Sequence, residues 1–217
     1  MKNRHYYLVA DCETTQRGTV ADFGACLVTK QGEIVEQYGV MVLGHFGTMP
    51  LFSDPTLADA EIWSEQSAQR RSKGYDKMLD EGARSIASVA HINIWLARVN
   101  AQYSPTLTAY NISFDIGKCR NTGINLGIFG SRFCLMKAAK KKIGVLAEYQ
   151  RFCYEQGLLT AKLKRPQMTA DSMAKFILGD SLEDEPHTAL EDCRDYEAPI
   201  LTHILRDTTR KQILEMG

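Results

Sequence analysis

Three apolar runs separated by short polar stretches occupy the first part of the chain. Residues 6–13 form a continuous apolar run that ends in acids, and residues 20–29 and 34–42 are rich in strand-favouring residues. The second and third runs are joined through residues 30–33, Lys-Gln-Gly-Glu. Short apolar runs bounded by turn residues are typical of strands joined by hairpins. We therefore predict a three-stranded meander.

The pattern breaks over residues 43–80, where glycine or proline stands at five positions and a charged stretch fills residues 69–73. Glycine and proline interrupt regular structure more strongly than other residues. We interpret this segment as an irregular insertion of loops with a short helix.

Helical spacing of apolar residues returns over residues 81–101, and residues 106–110 then predict a short strand. Near the end of the chain, Thr188 and Glu191 have capping-box spacing, which predicts a helix from about residue 189. Pro199 should kink or interrupt that helix. The other predicted elements are a helix from Ser113 to Thr122 ended by Gly123, a strand at 130–136, and helices at 145–156 and 169–178.

Together these elements predict an α/β fold, a mixed sheet flanked by helices. The 217 residues, 44% hydrophobic and 24% charged, suit one domain with a substantial core. Lysine plus arginine and aspartate plus glutamate each number 26, so no overall basic field attracts nucleic acid. Attraction to a polyanion must therefore be local.

No apolar run approaches the roughly 20 residues that span a bilayer, so we expect a cytoplasmic protein without a membrane partner. The six cysteines include no CxxC pair, so we expect no zinc site and reduced, mostly buried thiols. The sequence leaves open whether the chain forms a homodimer.

Two acids end the first predicted strand. Because side chains alternate along a strand, Asp11 and Glu13 should share a face, while Cys12 between them should face the core. Two neighbouring carboxylates repel unless a cation lies between them, and hard oxygen ligands suit Mg²⁺ or Mn²⁺. The D-x-E pattern is common, however, and by itself favours two solvated acids.

A second group follows the strand at 106–110. Ser113 is a suitable N-cap, which would place Asp115 in the first turn of a helix, where the macrodipole favours a carboxylate. A dipole-stabilising surface acid would explain Asp115, but it would not explain the accompanying Asn111 and Phe114.

A third group surrounds the last predicted helix start. With Thr188 as N-cap, His187 would lie on the preceding loop and Asp192 about one turn inside the helix. Histidine titrates near neutrality and can accept a proton from water. A lone histidine of this kind is more often an ordinary surface residue.

In combination, the runs D-C-E-T-T, N-I-S-F-D and H-T-A-L-E-D, in that order, resemble the three motifs of the DEDDh 3′–5′ exonucleases. This family includes RNase T, polymerase proofreading subunits and the TREX nucleases, and it has a ribonuclease H-like fold. The stretch at residues 22–25, Asp-Phe-Gly-Ala, stands where the family usually has E-I-G-A. Thr188 occupies a position where the sister subgroup has tyrosine, which favours the histidine subgroup.

The resemblance implies an enzyme that hydrolyses DNA or RNA from the 3′ end and releases nucleoside 5′-monophosphates. It implies that Asp11, Glu13, Asp115 and Asp192 bind two Mg²⁺ or Mn²⁺ ions and that His187 activates the attacking water. It also implies that four residues bind the terminal nucleotide, namely Thr14, Thr15, Asn111 and Phe114. Many relatives follow the second threonine with glycine and a bulky apolar residue, whereas this chain has Gln-Arg-Gly at residues 16–18.

Two alternatives remain. The same scaffold could hydrolyse short oligonucleotides or signalling nucleotides, or the chain could be a non-catalytic nucleic-acid-binding module. We expect one of three basic clusters to contact a single-stranded or frayed substrate, and we expect Trp63, Trp95 and Tyr149 to pack in the core. The clusters are Lys137 with Lys140, Lys141 and Lys142; Lys162 with Lys164 and Arg165; and Arg70 with Arg71 and Lys73.

Overall fold

A computed structural model describes residues 5–48, 51, 74–179 and 181–216 of the chain. Its centre is a six-stranded sheet in the order β4-β3-β2-β1-β5-β6. The strands are β1 (Tyr6–Thr14), β2 (Val20–Thr29), β3 (Ile34–Val42), β4 (Ser85–Ala87), β5 (Thr106–Ala109) and β6 (Arg132–Cys134).

Strand directions divide the sheet into two parts. Strands β1, β2 and β3 pair antiparallel, which confirms the predicted meander. Strands β5 and β6 run parallel to β1, and β4 runs parallel to β3. The mixed α/β sheet predicted from the sequence is therefore confirmed.

Helices cover both faces of the sheet, and no helix in the described part of the chain is long and apolar enough to span a membrane. The bounds are α1 (74–80), α2 (Val89–Tyr103), α3 (Ile112–Thr122), a 3₁₀ turn (Leu126–Ile128), α4 (Leu135–Lys142), α5 (Ala147–Glu155), α6 (Ala170–Leu178), α7 (Ala189–Glu191), a π-helical turn (Asp192–Glu197), α8 (Ala198–Leu205) and α9 (Arg210–Met216).

The alternation of side chains along β1 separates two cores. Tyr7 and Val9 pack against α4, α5, α6 and α8 on one face. Leu8 and Ala10 pack against α2 and α3 on the other. Every residue of β2 is buried, as expected for a central strand covered on both sides. By the same alternation, Asp11 and Glu13 face the side of α7 and α8.

The helix predicted over residues 81–101 is wrong at its start. Residues Ser85–Ala87 form strand β4, with Ile86 half-exposed at the sheet edge. Ser88 then caps α2 by accepting a hydrogen bond from the backbone N–H of His91. The prediction was wrong because the apolar residues of the edge strand and those of the following helix together have a spacing that resembles one longer helix. Trp95 is buried, as predicted.

The helix that carries Asp115 also begins earlier than predicted. Asn111, rather than Ser113, is its N-cap residue, because the carbonyl of Asn111 accepts the N–H groups of Phe114 and Asp115. Asp115 still lies in the first turn, and Gly123 ends the helix with a left-handed φ of 90°, as predicted.

Thr188 is the N-cap of α7, but the predicted capping box is wrong. The Thr188 side chain makes no bond to the helix backbone and instead donates to Oε2 of Glu191 at 2.7 Å. Glu191 is held there by an ion pair with Arg84. Pro199 follows a π-helical turn, so the predicted interruption is confirmed.

The irregular insertion is described only at its ends. Residues 43–48 form turns, Leu51 bridges Thr15, and residues 74–80 are helical. Tyr75 on α1 is fully buried and packs with Met41 of the sheet. The basic cluster at residues 70–73 and Trp63 lie outside the described residues.

Helix α7 rests directly on a row of glycines in the sheet. Asp11 of β1, Gly24 of β2 and Gly39 of β3 lie side by side in register. A Cβ atom at Gly24 would overlap the backbone of Ala189, and one at Gly39 would lie 2.8 Å from Cβ of Leu190. The absence of side chains on this row lets α7 approach the sheet beside Asp11.

We expect Gly24→Ala to destabilise the protein, because the added methyl group meets helix backbone rather than a flexible side chain. Overpacking of this kind costs at least about 2 kcal/mol, or roughly 4–8 °C in melting temperature for a chain of this size. The control is Gly117→Ala, since a Cβ there meets no atom of the described residues within 4 Å and alanine favours the helix. Similar melting temperatures for both variants would contradict this account.

Candidate active site

Three side chains from separate elements converge at the end of β1. One ligand atom of Glu13, one of His187 and one of Asp192 all lie within 4.8 Å of each other. Glu13 and Asp192 are buried, whereas His187 is half-buried. Two predicted acids and the predicted base are thus brought together.

The other two predicted acids, Asp11 and Asp115, lie outside that three-residue cluster; the charge of Asp11 acts on Asp192, and the charge of Asp115 acts on Asp11. Burial raises the pKa of Asp11 well above its usual value, and the charge of Asp115 raises it further. Burial also raises the pKa of Asp115 to about 7, although the Cys12 thiol donates to its Oδ1 at 3.4 Å. Cys12 packs in the core on the α2–α3 side, as predicted.

Asp192 is the acid most strongly affected by its surroundings. Burial, followed by the charge of Asp11, raises its pKa to about 10. Its Oδ1 is buried and has no hydrogen-bond partner among the described residues. A buried carboxylate oxygen of this kind is costly unless a cation or a proton neutralises it.

Two further acids near the site were not predicted. Glu197 in the π-helical turn is buried, and its Oε1 accepts the backbone N–H of Tyr110 at 3.2 Å. Burial raises its pKa well above the usual value, and the charges of Asp11 and Asp115 add to this. Glu185 contributes charge to Asp11 and Asp192. The predicted helix would turn Glu197 away from Asp192, so its spacing gave no signal.

This donor set suits divalent cations. The carboxylate oxygens are hard ligands, several are buried, and Oδ1 of Asp192 lacks a partner within the described part of the chain. The residues that could hold cations are Glu13 and Asp192 in the cluster, with Asp11 and Asp115 beside it. The His187 imidazole is close enough to act as a further ligand or as a base.

His187 is held in a strained backbone conformation. Its φ of 55° lies in the left-handed region, which is uncommon for residues other than glycine. The Tyr75 hydroxyl shares its one proton between Oδ2 of Asp22, at 3.1 Å, and the His187 carbonyl oxygen, at 3.4 Å. Strain of this kind persists where surrounding contacts impose it, and it occurs often at functional sites.

A buried polar network fixes the start of α7 next to His187. The Ala189 N–H and the Tyr75 hydroxyl both donate to Oδ2 of Asp22, at 2.9 and 3.1 Å. Arg84 lies between Asp22 and Glu191, with its Nε 3.7 Å from Oδ1 of Asp22. Burial raises the pKa of Asp22 to about 6, despite the opposing charge of Arg84. The network links the insertion to the histidine loop.

The four residues expected to contact a nucleotide border the same region. A β-bulge lies between Glu13 and Thr14. Thr15 is buried, and its N–H donates to the Thr19 carbonyl at 2.8 Å, so this amide is used within the turn. Asn111 is exposed, and Phe114 is 43% exposed with Nζ of Lys118 5.0 Å from its ring centroid.

Comparison with known proteins agrees with this architecture. The chain matches no protein-family model and no curated protein. Among solved structures, it is similar to E. coli exonuclease I in complex with a 5cy-dT13 oligonucleotide, at 15% identity and a TM-score of 0.51. The match covers 98% of this chain and 42% of that chain. The chain has a ribonuclease H-like fold.

A second solved structure, exonuclease I in complex with the inhibitor BCBP, has a TM-score of 0.48 at 15% identity, covering 99% of this chain and 43% of that one. This ribonuclease H-like chain therefore spans less than half the length of the solved structures that it matches.

The raised pKa values predict that the metal-free protein loses stability as pH rises. Asp115 moves from 3.8 to about 7 on folding, so between these values the folded protein holds a proton that the unfolded chain has released. Unfolding then releases protons, and its free energy falls as pH rises. Because the pKa of Asp192 is raised to about 10, the pH range over which stability falls extends upward to about that value.

Mg²⁺ or Mn²⁺ should reverse this loss, because cations bind the ionised carboxylates. At about 100 times its Kd, a cation adds about 2.7 kcal/mol, or roughly 5–10 °C in melting temperature. Thermal unfolding at pH 5 and pH 8, with and without Mn²⁺, checks this. The Mn²⁺ effect should be larger at pH 8, should shrink in Asp192→Asn, and should survive in the exposed control Asp207→Asn. An equal effect in both variants would argue against this site.

Proposed function

We propose that this protein is a metal-dependent 3′–5′ exonuclease that releases nucleoside 5′-monophosphates from DNA or RNA. The observation that carries this proposal is the convergence of Glu13, Asp192 and His187 at the end of β1, with Asp11 and Asp115 beside them. The similarity in fold to exonuclease I, and the order of the three sequence motifs, support the same reading.

The chemistry of phosphodiester hydrolysis fits these residues. Bound divalent cations would stabilise negative charge on the attacking and leaving oxygens. Asp11, Glu13, Asp115 and Asp192 would hold two such ions. His187, on the loop before α7, would accept the proton of the attacking water.

The proposed substrate contacts lie around this centre. Thr14 and Thr15 would position the terminal nucleotide at the bulged end of β1. Asn111 and the exposed ring of Phe114 would shape the opposite side, at the start of α3. A purely nucleic-acid-binding module is disfavoured, because clustered carboxylates repel phosphate unless cations neutralise them.

The first test uses 5′-labelled DNA and RNA, single- and double-stranded, with Mg²⁺, Mn²⁺ or EDTA. We expect a metal-dependent ladder of products shortened from the 3′ end, while 3′-blocked and circular strands resist. Cutting of circles at a comparable rate would indicate an endonuclease. Hydrolysis confined to dinucleotides would favour the alternative of short oligonucleotides or signalling nucleotides.

Variants link that activity to the site. Asp11→Ala, Asp115→Ala and Asp192→Ala should each lower turnover by at least about 10²-fold, because each carboxylate would be a metal ligand and its loss would disrupt the pair of cations that stabilises the transition state. Asp207→Ala is the matched control, since its carboxylate is exposed. Substantial turnover of the wild-type protein in EDTA would refute the metal requirement. Folded variants that keep wild-type turnover would refute the assignment of these residues.

His187→Ala should separate catalysis from binding. Loss of a general base typically lowers turnover about 10²- to 10⁴-fold, whereas affinity for the strand should change little. Wild-type activity should rise as His187 loses its proton with increasing pH, and the variant should lack this step. The control is the exposed His91→Ala.

The same variant distinguishes a base from a metal ligand. If His187 is a base, stabilisation of the folded protein by Mn²⁺ should survive in His187→Ala. Loss of that stabilisation, as large as in Asp192→Asn, would make His187 a ligand instead.

A further inference from the structure

We propose that the groove between α3, β6 and α4, lined by Arg120, Arg132 and Lys137, binds the backbone phosphates of a single nucleic-acid strand whose 3′ end occupies the candidate active site. This inference rests on the proposed function, and it names the surface that holds the substrate upstream of the cleaved bond.

The groove consists of two adjoining cavities. The first, of about 470 Å³, is lined by Ser113 at the start of α3, by the three cationic residues, and by apolar side chains beneath them. The second, of about 420 Å³, shares Ile116, Arg120 and Arg132 with the first. Because three lining residues are common to both, the two cavities form one continuous channel along α3.

The groove begins beside the candidate active site. Strands β1, β5 and β6 are parallel, so their carboxyl ends lie at one edge of the sheet. Asp11 and Glu13 lie at the end of β1, and the groove starts at the end of β6. Its lining residues Ile112 and Ser113 stand between Asn111 and Asp115 in the chain. A strand leaving the active site along α3 would therefore enter the groove.

The charge of the groove complements a phosphate backbone. Among the described residues, its lining includes three cations and no acid in either cavity. Arg120, Arg132 and Lys137 are exposed, and none of them forms an ion pair within the described residues. In a chain with a net charge of zero, this is the local attraction that a polyanion needs.

Other described residues of the predicted basic clusters fit this role less well than Lys137. Nζ of Lys141 donates to the Met216 carbonyl at 2.8 Å, so that side chain is directed toward the end of the chain. Lys162 and Arg165 line a separate cavity of about 500 Å³, next to the bridge between Leu159 and Pro166. None of the described lining residues of that cavity flanks a site carboxylate in sequence.

A groove of this kind should act only on substrates long enough to reach it. Each phosphate held on a single strand contributes about 0.7 to the slope of log K against log salt. Three cations should therefore contribute about 2 to that slope. A dinucleotide that fills only the active site should gain nothing from them.

The test uses the triple variant Arg120→Gln, Arg132→Gln and Lys137→Gln. Binding of a 5′-labelled oligothymidylate of about 12 nucleotides is measured by anisotropy in EDTA, across a range of salt. We expect Kd at low salt to rise at least 10-fold and the salt slope to fall by about 2. Dinucleotide hydrolysis should be unchanged, and melting temperatures establish that the variant is folded.

The matched control is Lys162→Gln, Lys164→Gln and Arg165→Gln, which removes the same charge elsewhere. Equal losses of affinity in the two triple variants would show that only net charge matters. A loss of affinity in the control alone would indicate that the strand binds at Lys162, Lys164 and Arg165. Either result overturns the groove. If the groove residues are needed for oligothymidylate binding but no strand is hydrolysed, the proposed exonuclease function is contradicted, whereas the proposed binding groove is supported.

Discussion

The close contact of α7 with the glycine row of the sheet is the constraint on which the rest of the site depends. Asp11, Gly24 and Gly39 lie in one row, and α7 lies on the two glycines without intervening side chains. This contact determines the height of Asp192 above the sheet and therefore its distance from Glu13. A helix seated on larger side chains would hold the acids of β1 and of the π-helical turn farther apart.

The convergence of acids is itself unfavourable to folding. Asp11, Asp115, Asp192 and Glu197 each lose solvation, and their pKa values all rise. The Asp22 network opposes this locally, because Arg84 is a buried cation between two acids at the start of α7. Arg84 reduces the cost of burying acids at the border of the site but does not remove it, because the pKa of Asp22 is still raised to about 6. Such costs are common where function requires strained or charged groups.

Local patterns predicted the parts of this fold that depend on neighbouring residues in the chain. The meander, the left-handed Gly123 and the N-cap position of Thr188 all follow from short-range chemistry. The errors arose where distant residues decide the outcome. Arg84 draws Glu191 away from the capping box, and Glu197 reaches the site only through the π-helical turn. Both contacts join residues more than 80 positions apart, which no local pattern encodes.

The π-helical turn gives one helix an unusual phase. In an α-helix, successive side chains are about 100° apart, so residues separated by five positions point in different directions. Hydrogen bonds between residues five apart instead bring Asp192 and Glu197 onto the same side. The shared direction of these two acids therefore depends on the number of residues between them and not on the identity of those residues. Insertion or deletion of a single residue between these acids would rotate one of them away from the sheet, even if every remaining side chain were kept.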